Sequence, residues 1–236
     1  MCIRDRVKDE LVSLGVDESK VLVFHNAFTA NKQVTDDKHS LRKRYGLNDD
    51  DIVVVAIGHT VHVKGWDVLI EAFHSAKKNQ KNLKLLLVGS FSDKHEEEVY
   101  KDLRIRIEKY SIQKDVIFTG YLFNIQEPLR AADMYVLTSR AEGFGNVLLE
   151  AIVEKLPCIS TDVGIASQVI KDNENGFIVR INHHKEISEK ISLLCGSPKL
   201  RKEMSNNAVI PECIPSREEY AQRTVKLYSS LLGETE

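Results

Sequence analysis

From residue 51 onward the chain alternates short, wholly apolar runs with longer amphipathic segments. The first run, Ile52–Ile57, reads IVVVAI and lacks the alternating polarity of a half-exposed strand. Such a run is typical of a strand buried on both faces of a parallel sheet. Further strands are predicted at residues 85–88, 116–119, 134–137, 158–161 and 177–179. Strands that alternate with helices predict an α/β fold, a Rossmann-like doubly wound parallel sheet with right-handed crossovers.

Amphipathic segments between these strands predict the helices. Apolar side chains at helical spacing mark residues 66–79, and a charged helix carries Val99, Leu103 and Ile107. Further helical segments are predicted at residues 125–132, 147–154, 167–170, 184–195 and 217–232. In a doubly wound sheet, ligands bind at the carboxyl ends of the strands. The loops after residues 57, 88, 119, 137 and 161 are therefore the predicted site.

Composition excludes several classes of function. Among 236 residues, 33 are basic and 35 acidic, so no strong positive field is available to attract nucleic acid. No apolar run approaches the ~20 residues of a membrane-spanning helix, and no signal peptide is recognisable. The four cysteines are widely spaced, which favours a reduced, cytoplasmic protein over a disulfide framework or a zinc site.

The first forty residues do not follow the strand–helix pattern. Residues 7–14 predict a helix, residues 21–24 a lone strand, and residues 29–40 a polar linker. One strand and one helix cannot bury a core of their own. We therefore expect residues 1–38 to be the remnant of a preceding domain plus a linker, and residues 39–236 to form the main domain.

The loop after the first strand carries a lysine beside a helix start. Gly58 ends the strand, and Lys64 and Gly65 directly precede the predicted helix. Backbone N–H groups at a helix start, with a lysine beside them, can hold a diphosphate, although such a pair also occurs at ordinary solvated helix entries. His59 and His62 lie in the same loop, but no third ligand at suitable spacing predicts a metal site.

The loop after the fourth strand reads SRAEGFGNVLLEA from Ser139. Glu142 lies in the loop, two glycines relieve its backbone, and Asn146 is predicted to cap the next helix. Glu150 lies one turn into that helix among apolar residues, where a carboxylate needs partners such as a ribose diol. A surface glutamate is the alternative. The segments after residues 88 and 119, around Gly89 and Gly120, are either backbone contacts for a base or phosphate, or plain turns.

Together these residues resemble the GT-B-fold retaining glycosyltransferases that use nucleotide sugars. The hallmark is Glu-x7-Glu within S-x-x-EGFG-x-x-x-x-EA, followed by P-x-x-x-T, which matches residues 139–161. Residues 58–72 match the family's lysine loop, and residues 26–28 match its domain junction. The resemblance covers residues 21–232 and identifies the chain as the C-terminal, donor-binding half of a GT-B fold.

The resemblance implies a role for each matched residue. Lys64 would bind the donor diphosphate and Glu142 the transferred sugar, and these two are the catalytic candidates. Glu150 would bind the ribose. The remaining donor-binding candidates are Gly58, His59, Gly120, Tyr121, Leu122, Gly143, Phe144, Gly145, Asn146 and Val147. His59 stands where the family usually has arginine, and neutral imidazole stabilises a diphosphate less than guanidinium.

The implied reaction moves a sugar from a nucleoside-diphosphate sugar to an acceptor hydroxyl with retention of configuration, without a metal or other cofactor. The acceptor, a glycan, a lipid-linked sugar or a small molecule, would bind a domain expected to precede residue 7. The helix at residues 217–232 would cross back to that domain. Its apolar side chains Tyr220, Val225, Tyr228 and Leu231 are then expected to be poorly covered. A cytoplasmic location, or the inner face of the membrane, follows for the full-length enzyme.

Three alternatives stay open from the sequence. The chain can bind a nucleotide sugar without transferring it, as a truncated protein or as one subunit of a split enzyme. It can be another GT-B-fold enzyme, such as an epimerase or a phosphorylase, although no motif for a lysine-bound pyridoxal phosphate is present. A nicotinamide dehydrogenase is disfavoured because no G-x-G-x-x-G follows the first strand.

Overall fold

The computed structural model describes residues 8, 11–23, 25–29 and 35–232 of the chain. These residues belong to two compact units. One unit contains Met1–Asn31 and Ile210–Glu236, and the other contains Lys32–Val209. The predicted division after residue 38 stays a prediction, and each unit is described by itself.

The unit Lys32–Val209 is built on one six-stranded sheet in which every neighbouring pair is parallel. The strands are β1 Ile52–Ile57, β2 Leu83–Val88, β3 Val116–Gly120, β4 Met134–Leu137, β5 Cys158–Thr161 and β6 Gly176–Val179. Their order across the sheet is β3-β2-β1-β4-β5-β6. The predicted Rossmann-like doubly wound sheet is confirmed, and the connection changes direction between β1 and β4.

Helices follow or flank these strands. They are α1 Lys38–Arg44, α2 Trp66–Lys77, α3 Lys94–Lys109, α4 Gln126–Ala131, α5 Asn146–Val153, α6 Ala166–Val169, α7 His184–Gly196 and α8 Pro198–Asn207. Most lie within two or three residues of their predicted bounds, as expected where helix ends fray. The apolar faces of α2 and α7 pack in the core cluster with the sheet, and five of the six residues of β1 are buried.

The sequence analysis missed two helices. The predicted linker at residues 29–40 is wrong at its end, because α1 begins at Lys38, where Asp37 accepts a hydrogen bond from the Ser40 amide at 2.9 Å. Residues 30–34 lie outside the described residues. Helix α8 begins in the same way at Pro198, where the Ser197 side chain accepts a hydrogen bond from the Leu200 amide. Both helices are strongly polar, so their caps were a better signal than their apolar periodicity.

The second unit contributes helix α9, Arg217–Leu232. None of its residues is buried, and Val225, Tyr228 and Leu231 are each more than 60% exposed, which confirms the expected poor cover. Tyr220 is only half-covered. In the predicted strand at residues 21–24, only Val23 forms a bridge in the described part, and Phe24 lies outside it. Residues 11–13 of the predicted first helix are helical, whereas Val7 lies outside the described residues.

Candidate functional site

The loop after β1 folds its lysine back over the end of the strand. His62–Lys64 forms one 3-10 turn, and Gly65 adopts a left-handed conformation with φ 65° before α2 begins at Trp66. A β-carbon on Gly58 would lie 3.0 Å from Cε of Lys64, so the lysine stem packs against this glycine. The ammonium group is thereby directed along the carboxyl edge of the sheet, toward the loop after β4.

Lys64 meets Glu142, the first glutamate of the matched motif. Lys64 Nζ donates to Glu142 Oε1 at 2.6 Å, and Ser139 Oγ donates to the same oxygen at 2.6 Å. The side chains of Lys64 and Glu142 are 20% and 11% exposed, so solvent weakens this pair only in part. The two catalytic candidates are therefore brought into contact, although 78 residues separate them.

The loops after β1 and β4 are joined by backbone contacts. Thr138 Oγ1 donates to the Lys64 carbonyl at 3.0 Å, and the Arg140 amide donates to the Val63 carbonyl at 2.7 Å. A β-carbon on Gly65 would lie 2.2 Å from the Thr138 carbonyl oxygen, closer than any side chain can approach. Glycine at position 65 is thus required both by its positive φ and by this close approach.

The Arg140 side chain adds further contacts between the loop after β4 and the segment after β1. Its guanidinium makes a bidentate contact with Asp67 at 2.8 and 3.1 Å and also donates to the His62 carbonyl. Burial acts to raise the pKa of Asp67, but the hydrogen bonds and the charge of Arg140, with backbone hydrogen bonds, hold this pKa below its usual value. The sequence analysis did not single out Arg140, which occupies an unspecified position of the motif. An arginine in the predicted loop after β4 and an aspartate in the first turn of the predicted helix after β1 were the signal that it left unused.

The end of β5 and the loop after it contact the loop after β4, so three loops are joined at this edge of the sheet. Thr161 Oγ1 donates to the Ser139 carbonyl at 2.7 Å, and the Ile165 amide donates to the Phe144 carbonyl at 3.0 Å. A β-carbon on Gly164, where φ is 63°, would lie 2.4 Å from the Phe144 carbonyl oxygen. The threonine of the P-x-x-x-T motif therefore orients the backbone that carries Glu142.

The start of α5 corrects one prediction. Gly145, with φ 103°, occupies the N-cap position, and Asn146 is the first helical residue and makes no side-chain cap. The expectation that Asn146 caps this helix is wrong, because the left-handed glycine already turns the chain into the helix. Phe144 is buried, Gly143 and Asn146 are exposed, and Val147 is half-buried. The first-turn amides of α5 therefore have no side-chain cap from this position.

Glu150, the second glutamate of the motif, pairs with an amide. Gln126 Nε2, on α4, donates to Glu150 Oε2 at 3.0 Å. Burial raises the pKa of the half-buried Glu150 carboxyl, the hydrogen bond from Gln126 opposes this shift, and the charge of Glu154 adds to it. The sequence analysis missed Gln126, which is itself buried. No hydrogen bond in the described part of the chain joins Glu150 to Lys64 or Glu142.

A cleft of about 740 Å³ opens over the ends of β1, β2 and β3. It is lined by His59, Ser90, Phe91, Ser92, Asp93, Glu96, Gly120 and Tyr121. His59 Nδ1 lies 2.9 Å from Oε1 of Glu96, a carboxylate on the first turn of α3 that is 3% exposed. Gly120 has φ 74° with open space around it, Tyr121 is exposed, and Leu122 is half-covered. The sequence analysis included His59 and missed Glu96.

Neither a metal cluster nor a spanning helix is evident in the described residues. No three histidine, cysteine or carboxylate side chains converge there in a way that can hold a metal ion. None of the described helices combines the length and apolar character needed to cross a bilayer.

The described site, with its lysine, two glutamates and three joined loops, lies inside a segment that matches a known family. Residues 37–209 match the family described as Glycosyl transferases group 1. The chain belongs to this family. The predicted GT-B relationship is thereby confirmed at the level of the family, with the lysine loop and both glutamates inside the matched segment.

Named relatives agree with this assignment. The putative glycosyltransferase EpsD of Bacillus subtilis is 30% identical over 164 residues, which are 70% of this chain and 42% of that protein. The lipopolysaccharide core biosynthesis mannosyltransferase LpsB of Rhizobium meliloti is 24% identical over 220 residues, or 92% of this chain and 62% of that protein. The chain therefore spans about half the length of the curated relatives that it matches.

Solved structures share the fold. Anabaena HepE in complex with UDP superposes with a TM-score of 0.87 at 22% identity, over 97% of this chain and 63% of that one. The C-terminal domain of the group 1 protein LpcC from Francisella tularensis gives a TM-score of 0.66 at 23% identity, over 77% of this chain and 92% of that one. At these identities the likeness establishes the architecture.

Proposed function

We propose that this chain is the donor-binding part of a retaining glycosyltransferase, which moves a sugar from a nucleoside-diphosphate sugar to an acceptor hydroxyl in glycan or glycoconjugate synthesis. One observation carries the proposal. The loops after β1 and β4, on the two sides of the point where the sheet changes direction, bring Lys64 and Glu142 within 2.6 Å. Ligands of doubly wound sheets bind at this crevice.

Lys64 is proposed to bind the donor diphosphate. Its ammonium is partly shielded, its backbone lies two residues before the start of α2, and α5 begins directly after the loop that carries its partner Glu142. Helix N-termini and a lysine together favour a dianionic group, which competes with the single carboxylate of Glu142 for the ammonium. As the sugar leaves, negative charge grows on the diphosphate, and these fixed positive groups stabilise the transition state.

Glu142 is proposed to contact the transferred sugar, while backbone groups of residues 143–147 bind its hydroxyls and the distal phosphate. Ser139 and Thr161 hold this loop in place, so the carboxylate is positioned before the donor arrives. Glu150 is proposed to accept hydrogen bonds from the ribose, because Gln126 occupies its Oε2 and leaves Oε1 for a ligand donor. The base would then lie near Gly120, Tyr121 and Leu122.

The proposal includes no metal or other cofactor, since lysine and helix termini provide the positive charge. It also includes no protein base, because in this mechanism the leaving phosphate assists the acceptor. The acceptor is proposed to bind a further domain of the full-length enzyme, which can also associate peripherally with the cytoplasmic face of a membrane. The complexes of Anabaena HepE with UDP and with UDP-glucose make uracil the first base to test.

Calorimetric binding of UDP, GDP and ADP, each with and without its sugar, tests the donor site in the purified chain. We expect selective binding of one nucleotide, with an affinity that is weaker by about 1–3 kcal/mol in the Glu150→Ala variant. Absence of binding by a chain whose circular dichroism shows it to be folded would contradict the proposal for this unit. The panel also identifies the base, which the sequence does not reveal.

A second function is a donor-binding protein that performs no transfer by itself. The observation in its favour is that the chain spans 42% of EpsD and 43% of another relative, so groups outside this sequence can complete the site. Incubation with the bound nucleotide sugar and candidate acceptors distinguishes the two functions. Release of the nucleoside diphosphate only when an acceptor is present supports transfer, whereas tight binding without release supports the second function.

A further inference from the structure

The contact between His59 and Glu96 is not used by the roles assigned so far. Glu96 Oε1 lies 2.9 Å from His59 Nδ1, and Glu96 Oε2 accepts from the Ser92 amide at 3.0 Å. The His59 side chain is 75% exposed, whereas that of Glu96 is 4% exposed. A covered carboxylate thus holds the Nδ1 edge of a largely exposed ring that lines the cleft over β1, β2 and β3.

A purely structural role explains part of this arrangement. Asp93 caps α3, and Glu96 is the third residue of that helix, the position from which a glutamate reaches back to the preceding backbone. The hydrogen bond to Ser92 is of this kind. A backbone cap, however, has no need of a histidine from another loop. The contact with His59 therefore requires a separate explanation.

Charge supplies that explanation. The hydrogen bond from His59 is the main reason why the pKa of the Glu96 carboxyl lies below its usual value, and the Ser90 hydroxyl and the Ser92 amide add to the effect. Glu96 is therefore ionised at neutral pH, and an ionised carboxylate can only accept hydrogen bonds. His59 must carry its proton on Nδ1, so its Nε2 is the atom presented to the cleft.

We propose that Glu96 is a positioning residue for His59, an inference that rests on the proposed function. Glu96 holds the His59 ring so that Nε2 of His59, when protonated, donates to the phosphate groups of the nucleotide sugar. His59 follows Gly58, against which the Lys64 side chain packs, so both groups leave the same end of β1. With Nδ1 bound to Glu96, the protonated ring has one N–H left, and that N–H faces an anionic ligand.

The other titratable groups around the cleft do not supply this charge. The other titratable side chains that line the cleft are Asp93 and Glu96, at the start of α3, and Tyr121, in the loop after β3. Lys64 lies in the same loop as His59 and does not line the cleft. Asp93 is occupied with the His95 and Glu96 amides. Among the described lining residues, His59 is thus the side chain that can present a positive charge to a bound phosphate.

Affinity for an intact nucleotide sugar is the measurement that tests this role. The diphosphate of UDP-glucose is esterified at both ends and does not titrate in mildly acidic or alkaline buffer, so a pH dependence belongs to the protein. UDP-glucose is the first probe, followed by the other nucleotide sugars of the panel. We expect affinity to be about tenfold higher in acidic than in alkaline buffer, because Nε2 can donate to a phosphate while Nδ1 is bound to Glu96 only if the ring is protonated.

Three variants separate positioning from structure. His59→Arg, which is always charged, should bind with little pH dependence. Glu96→Gln retains the acceptor for Ser92 but removes the charge, so the fall in affinity should move to lower pH. Glu97→Gln, the same change at the next residue, which pairs with Lys101 at 2.7 Å, should reproduce the wild-type profile.

The outcomes are distinct. A Glu96→Gln profile that matches the wild type, or a His59→Arg profile that falls equally, would overturn the inference while leaving the donor site intact. If the Glu96→Gln variant merely unfolds at a lower temperature, the pH dependence of affinity in His59→Arg still tests the inference. Binding of no nucleotide sugar at any pH by the folded wild type would overturn the proposed function and this inference with it.

Discussion

The two glutamates of the Glu-x7-Glu motif lie in different environments. Glu142 is in a loop and pairs with Lys64 at 2.6 Å, whereas Glu150 is on helix α5 and accepts from the neutral amide of Gln126 at 3.0 Å. The charge of Glu142 is thus balanced before any ligand binds. The charge of Glu150 is not, and burial raises its pKa.

This difference indicates two ways of preparing for a ligand. At the Lys64 end, an anionic ligand must replace an existing ion pair, so binding there exchanges one charge contact for a stronger one. At the Glu150 end, a half-buried carboxylate keeps unused acceptor capacity, so a ligand hydroxyl adds a hydrogen bond and displaces no protein partner. Substitutions at the two ends should therefore have different signatures.

The largest expected effect comes from disrupting the contact between the loops after β1 and β4, which positions Lys64. Gly65→Ala introduces a β-carbon 2.2 Å from the Thr138 carbonyl oxygen at a residue with φ 65°. We expect the free energy of unfolding to fall by about 3 kcal/mol or more, from overpacking and left-handed strain together. Urea denaturation measures this loss.

Gly46→Ala is the matched control for this change. Gly46 has φ 69° but no atom within 4 Å of the added β-carbon, so only the conformational cost of about 1–2 kcal/mol applies. Equal losses of unfolding free energy at the two glycines would show that the Thr138 contact relaxes easily and that the junction of these two loops is not rigid.

The next effect concerns charge at the Lys64 end. Lys64→Ala removes the ammonium and leaves Glu142 without its cation, so we expect the affinity for UDP to fall by about 2–3 kcal/mol. The affinity for uridine, which has no phosphate, should change much less. Calorimetry with the two ligands gives both values.

Glu142→Gln completes this test, because it removes the carboxylate that competes with the diphosphate for Lys64. UDP should then bind at least as tightly as to the wild type. Similar losses of UDP and uridine affinity in Lys64→Ala would argue against a phosphate role for the lysine.

Glu150→Ala tests the other end of the site. Lost hydrogen bonds to the ribose should weaken binding of UDP and of uridine alike, by about 1–3 kcal/mol. The parallel loss is the signature that distinguishes this end from Lys64. Unchanged affinity in calorimetry would remove Glu150 from the site. Glu154→Ala, one turn further along and paired with Arg130 at 3.2 Å, is the control and should bind normally.

The sequence predicted the strands and the loops that carry the two glutamates, but not the side chains with which the glutamates pair. Buried strands such as β1 and β4 were predicted with their observed bounds, because uninterrupted apolar runs admit few other structures. The rule that ligands bind at the carboxyl ends of the strands placed the loops of Lys64 and Glu142 in the predicted site, but the direct contact between the two side chains was not predicted. The pairing of Gln126 with Glu150, 24 residues apart, has no local pattern and depends on how two helices pack.

Other parts of the site were set by backbone geometry. Gly145 took the cap position predicted for Asn146, because a left-handed turn at a glycine satisfies the chain direction without a side chain. The contact of His59 with Glu96 joins two loops whose separation the sequence does not give. The roles of these residues toward a ligand stay predictions.

The smallest expected effect is on stability and sharpens the contrast between the two glutamates. Because burial raises the pKa of Glu150, the folded chain favours the protonated form more than the unfolded chain does. Stability from this group is therefore fully present below the usual pKa of glutamate and decreases as pH rises through the higher, folded pKa. Glu150→Gln resembles the protonated form, so it should unfold at slightly higher urea than the wild type at neutral pH.

That difference should shrink as pH falls, because the wild-type carboxyl then becomes neutral as well, and urea denaturation at neutral and acid pH measures it. The same change at Glu142 should lower stability at neutral pH, since it removes a shielded partner of Lys64. A Glu150→Gln variant less stable than the wild type at neutral pH would show that this carboxylate is held by favourable contacts within the protein. Glu150 would then resemble Glu142, and an unused acceptor would no longer be the reason for its place in the site.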